Sequence, residues 1–218
     1  MNIKHSLIIV WFLCLVIGMN AGLYAEDKNS DKSISAFPIL MYDSDIGYGY
    51  GAKVKFIDYL KIKESFDLIA FNSTKGERWY VLTFCYPDIE IRQGKVYPIS
   101  LDVKAEYDKY LKYYFYGTGG NSLKENESVF TFEKTELQLS AGQGFTSQFV
   151  MELRYVLKNV HYFNIDKERP FTQTLQETGE QFSPFASLLV RYDTSDSRIH
   201  PTKGLRLAFQ NDFAAGFL

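Results

Sequence analysis

The sequence predicts an all-β protein, an antiparallel meander of the kind that forms a transmembrane β-barrel in an outer membrane. Three observations carry this. Aromatic residues make up 17% of the chain, with 18 Phe and 16 Tyr, yet mean hydropathy is only −0.18. Strands with one greasy and one wet face, bordered by aromatic girdles, produce that combination. Beyond the N-terminal segment no stretch stays apolar for the ~18 residues a spanning helix needs, which excludes a helical membrane protein. Finally, polar and apolar residues alternate with period two. Over residues 97–108, Tyr97, Ile99, Leu101, Val103, Ala105 and Tyr107 point one way. Pro98, Ser100, Asp102, Lys104, Glu106 and Asp108 point the other. Charges at successive inward positions suit a water-filled lumen better than a packed core.

The chain opens on the short, positive Met1-Asn2-Ile3-Lys4-His5, an uncharged apolar run from Leu7 to Ile17, and small residues before Glu26. This pattern describes a secretory signal peptide over residues 1–25, cleaved after Ala25 or alternatively after Ala21. The run is too short for a transmembrane anchor. Cys14 leaves with the peptide, so Cys85 remains alone and no internal disulfide forms. Residues 26–35 are small and polar and read as a disordered leader. Residues 36–218 form the β domain.

Nine strands follow, predicted at residues 37–42, 47–56, 66–73, 78–86, 97–108, 130–142, 148–158, 182–192 and 205–213. Asp43-Ser44-Asp45 turns the first pair, Thr74-Lys75-Gly76-Glu77 the third and fourth, and a turn near Arg92-Gln93-Gly94 precedes the fifth. The longest connections are 108–128 and 161–181. The last two strands are joined by a structured turn rich in Asp, Ser, Pro and Gly.

Three motifs lie in order along this meander. Phe37-Pro38 is followed by Tyr42, Asp45 and the alternating Gly47, Gly49 and Gly51. Tyr116-Gly117-Thr118-Gly119-Gly120-Asn121 follows a run of aromatics. Tyr192-Asp193, Asp196, Pro201 and Gly204 fit a Y-D-x-x-D…P-x-x-G pattern. Together these resemble the BamA/TamA (Omp85) superfamily of outer-membrane barrels over roughly residues 36–213. The resemblance implies that the glycine-rich hairpin includes the barrel's seam strand. It also implies a sixteen-stranded barrel, of which nine strands are the N-terminal part, and a chain truncated at its C-terminus. The family's late V/I-R-G-F/Y motif is absent, and ten leader residues cannot form a periplasmic POTRA domain.

If the first strand rises from the periplasm, the connections after strands two, four, six and eight are periplasmic and the two longest loops extracellular, which is the outer-membrane barrel rule. The expected partners are outer-membrane lipid and other outer-membrane or exported proteins as substrates. The expected role is assembly or translocation through a weak seam. A passive channel or structural surface antigen on the same fold is the alternative, and a soluble exported β-protein is a third reading.

Catalytic, cofactor and metal chemistry find no signature. Gly47-x-Gly49-x-Gly51 lacks both the spacing and the helix of a dinucleotide fingerprint, and the glycines after Tyr116 lack a Gly-Lys-Ser/Thr ending. There is no Gly-x-Ser-x-Gly elbow. His161 and His200 have no ligand-like spacing. Asp193 and Asp196 suit turn formation better than acid–base or calcium chemistry. A net charge of −2 without a basic cluster argues against nucleic acid.

Overall fold

The computed structural model describes residues 32–116, 123–165, 179–196 and 201–214. Nine strands form one antiparallel sheet, ordered as in the sequence: β1 (Ser33–Asp43), β2 (Gly47–Ile57), β3 (Ser65–Ser73), β4 (Arg78–Tyr86), β5 (Tyr97–Phe115), β6 (Ser128–Gly144), β7 (Phe149–Phe163), β8 (Glu180–Asp193) and β9 (Arg206–Phe213). Each strand pairs with its sequence neighbours, so β1 and β9 are the edges of the described sheet.

The strands run longer than alternation alone suggests. β1 begins at Ser33, inside the stretch expected to be a disordered leader over 26–35, because Ser33, Ile34 and Ser35 pair with Ile57, Phe56 and Lys55. β5 continues through the aromatic run to Phe115, where a register shift between Tyr110 and Tyr113 lets pairing with β6 persist. A one-turn helix, α1 (Ile89–Arg92), occupies the β4–β5 connection where only a turn was expected. Asp88 caps it by accepting a bond from Glu90 N at 3.0 Å. The predicted signal peptide and most of the leader lie outside the described residues.

The two faces differ as the alternation requires. Leu82, Leu101, Val103, Leu139, Leu153 and Tyr155 stand exposed on one face, Leu153 at 61%. On the other, Ser100, Glu106, Ser140 and Ser187 are buried, Glu106 at 8%. Burial of small polar groups in a single-layer sheet follows when the polar face is the inside of a curve. That inner face carries a charge network. Glu106 accepts from Lys104 Nζ at 2.5 Å, Lys134 Nζ at 2.9 Å and Trp79 Nε1 at 3.2 Å. Arg154 pairs with Glu152 at 2.9 Å. Aromatic pairs gather at one end of β5–β7: Tyr110 stacks on Phe132 with centroids 5.6 Å apart, and Phe130 meets Tyr113 and Tyr162.

Candidate functional site

The β8–β9 turn is built from its own donors and acceptors. Asp193 Oδ1 accepts from Ser195 N at 3.0 Å and from the Ser195 hydroxyl, and Oδ2 accepts from Arg206 Nε at 2.9 Å. Asp196 Oδ1 accepts from Thr202 N at 2.9 Å and Lys203 N at 3.2 Å, and Oδ2 from the Thr202 hydroxyl. Thr194 N donates to Leu205 O at 2.9 Å, and Asp196 N to Lys203 O at 3.2 Å. Thr202 and Lys203 hold the exposed Asp196 carboxyl down at about 2. Pro201 supplies a restricted φ and no N–H. Gly204 sits at φ +104°, and a Cβ there would lie 2.4 Å from Thr194 O, so only glycine closes this turn. Tyr192 faces outward, and its hydroxyl donates to Gln148 Oε1 at 3.2 Å, linking the turn to the β6–β7 connection. Both carboxylates are thus engaged by turn donors. Among the described residues no three His, Cys, Asp or Glu converge as metal ligands.

At the opposite end of the sheet order, Gly49 and Gly51 make a close approach. A Cβ at Gly49 would fall 2.4 Å from the Phe71 ring, and one at Gly51 2.2 Å from Ala70 O. Their missing side chains let Phe71, 5% exposed, lie across β2. Gly47 opens β2 beside the Thr74 hydroxyl, which accepts from Tyr48 N at 3.0 Å. Of the motif that begins at Tyr116, Tyr116 itself follows β5 and is exposed, whereas Gly117, Gly119 and Asn121 lie outside the described residues, as does His200. Among the described residues, the three motifs therefore occupy different parts of the sheet and line no common pocket.

Sequence reasoning missed the rim contacts. Arg92 of α1 turns onto the inner wall and donates Nη2 to Asp102 Oδ2 at 2.7 Å, with both side chains largely buried. Asp88 pairs with Lys55 at 3.0 Å. At the β2–β3 turn, burial works to raise the Glu64 carboxyl, but backbone N–H groups led by Leu60 hold it below its ordinary value. The Asp88-x-Glu90 spacing was the one sequence signal for α1. At the other rim, Asp45 accepts from Lys112 Nζ at 2.6 Å and Tyr114 at 2.9 Å, tying the first hairpin to β5.

An extended antiparallel sheet with an apolar, exposed outer face and a charged inner one is the wall of a transmembrane β-barrel. Its apolar face is far too continuous for a water-exposed surface. Among the described residues no helix is long and apolar enough to cross a membrane. The Omp85 superfamily domain matches residues 67–218, more than half of the chain, and the chain belongs to that superfamily. The fold is similar to that in the crystal structure of BamA from Haemophilus ducreyi lacking POTRA domains 1-3, with a TM-score of 0.55 and 14% identity. The match covers 93% of this chain and 41% of that one, so the chain spans less than half the length of that structure. A search of curated proteins found no match. The family and this likeness point to a bacterial outer membrane.

Proposed function

We propose that this chain forms part of the wall of an outer-membrane barrel that assists the insertion or translocation of other proteins, and that it reaches the membrane after a signal peptide is cleaved behind Ala25. The observation that carries the reading is β1, the edge of the described sheet, backed by the glycine-lined β2. An open edge presents unpaired N–H and C=O groups, a template for adding another strand. In lipid each unpaired backbone group costs several kcal/mol, so an edge at the bilayer favours exchange of partners. Pro38 within β1 suits an edge, since it cannot donate to a further strand at that position. Leu101, Val103 and their outward neighbours meet lipid. The β8–β9 turn, with Tyr192, Asp193, Asp196, Pro201 and Gly204, closes the periplasmic rim as a scaffold and takes no part in chemistry. The aromatic run ending at Tyr116 marks the extracellular interface.

The charged inner face favours a second reading, a passive channel. Reconstitution into phospholipid vesicles separates the two. An assisting barrel speeds folding of an unfolded outer-membrane client over empty vesicles, and replacing Gly51 with valine, which prevents close approach of β3, reduces the gain. Ion conductance with client folding at the unassisted rate identifies the passive channel instead.

A further inference from the structure

We propose that the recess between α1, the start of β5 and the end of β8 binds a phosphate-type anion. The recess holds about 50 Å³, room for several waters or one compact multi-oxygen group. Three cations line it from three separate elements: Arg92 of α1, Lys95 of the α1–β5 connection and Arg191 of β8. One carboxylate, Asp193, also lines it, but both its oxygens are already taken by Ser195 and Arg206. Neither Lys95 nor Arg191 has a side-chain acceptor among the described residues. Arg92 spends Nη2 on Asp102, and its Nη1 is buried with no acceptor, although the side chain is 8% exposed. An anion held by Arg92 would supply the acceptor that the protein does not.

The walls are fixed before any ligand arrives. The Arg92–Asp102 pair anchors α1 to the inner face, and Asp193–Arg206 anchors the turn. Tyr97, buried at 7%, packs against Gly144, which has no side chain; a Cβ there would sit 2.6 Å from the ring. Separate cations approaching from different elements suit a group with three or more oxygens better than a planar carboxylate, which one Arg fork satisfies alone. A free phosphate and the phosphate of a lipid headgroup share this chemistry.

The test uses the full chain purified in a non-ionic detergent. Inorganic phosphate and, separately, dihexanoyl phosphatidylglycerol below its micelle concentration are titrated in and followed by phosphorus NMR. Saturable binding is expected. The Lys95→Gln/Arg191→Gln double variant should weaken it about tenfold or more. Lys203→Gln, which removes one charge from the same rim but away from the recess and is matched by Lys95→Gln alone, should leave it unchanged. Binding of both probes assigns the phosphate group itself; binding of the lipid alone assigns the headgroup. If the double variant does not fold, Lys95→Gln alone carries the comparison, since Lys95 is exposed. No saturable binding of either probe at millimolar concentration, or equal weakening by Lys203→Gln, overturns the proposal. The free-phosphate arm does not depend on the membrane reading, so the two can fail separately.

Discussion

Asp196 is fully exposed, yet its carboxylate gathers Thr202 N, the Thr202 hydroxyl and Lys203 N. These donors favour the ionised form, so its folded-state value drops from 3.8 to about 2. A depressed carboxyl stabilises the turn fully above its unfolded value and loses that contribution as pH falls through its folded one. Carboxyl-carbon NMR should therefore give a midpoint for Asp196 near 2, with amide exchange at Thr202 and Lys203 accelerating only below about pH 4. A midpoint at the ordinary value would mean that the turn donors do not hold it. Asn at this position keeps an acceptor for Thr202 N but loses the charge, and should loosen the turn less than alanine. Gly204 has no such graded behaviour. Its φ of +104° and the nearby Thr194 O leave no space for a side chain.

β5 shows what alternation can and cannot assign. Val103 is outward and exposed, while Gln138, opposite the inward Lys104, is on the inner face. An arginine at Val103 should cost about 2–4 kcal/mol near the midplane, and one at Gln138 much less. Equal losses in a vesicle folding assay would reject this register. Asp102 was the natural inward comparison from the sequence, but the structure removes it. Its partner Arg92 is buried, so losing the Asp102 carboxylate leaves an uncompensated charge, a change of about 3–5 kcal/mol in buried pairs. Alternation fixes which face a residue takes where the register is unbroken. It does not reveal that a helix from a connecting segment folds back onto that face.

Across the whole sheet the outer face is a continuous field of Leu, Val, Tyr and Phe. Water would drive such a surface to associate, whereas hydrocarbon accepts it at no loss. The protein should therefore fractionate with outer membranes, need detergent for release, and migrate differently on gels before and after boiling. Recovery as a monodisperse, detergent-free periplasmic species would favour the third reading, a soluble exported β-protein, instead. The paired rim contacts, Asp45 with Lys112 on one side and Lys55 with Asp88 on the other, tie neighbouring hairpins together at both ends. They make the described sheet a wall rather than a row of independent hairpins.

The sequence by itself determined the class, the order and number of the described strands, and the side that the β5 residues from Ser100 to Asp108 face; Tyr97, read as outward, turns to the inner side through the register shift between Tyr97 and Ser100. Those properties are local: period-two alternation reports a strand with two solvents, and Asp, Pro and Gly report where it bends. It also placed β4 at its observed bounds, 78–86, because turn residues stand on both sides. Tertiary structure decided what depends on partners far away in the chain. Ser33 to Ser35 became strand because Lys55 to Ile57 offered them a ladder. The turn before β3 tolerates Asp58, Lys61 and Lys63 at positive φ, where no glycine advertises it, because Asp58 and Glu64 accept the freed backbone N–H groups. Arg92 and Asp102 meet only because a capped turn of helix lies over the mouth of the sheet. Such contacts leave no period in the sequence, since each is set by where two separate elements come to rest.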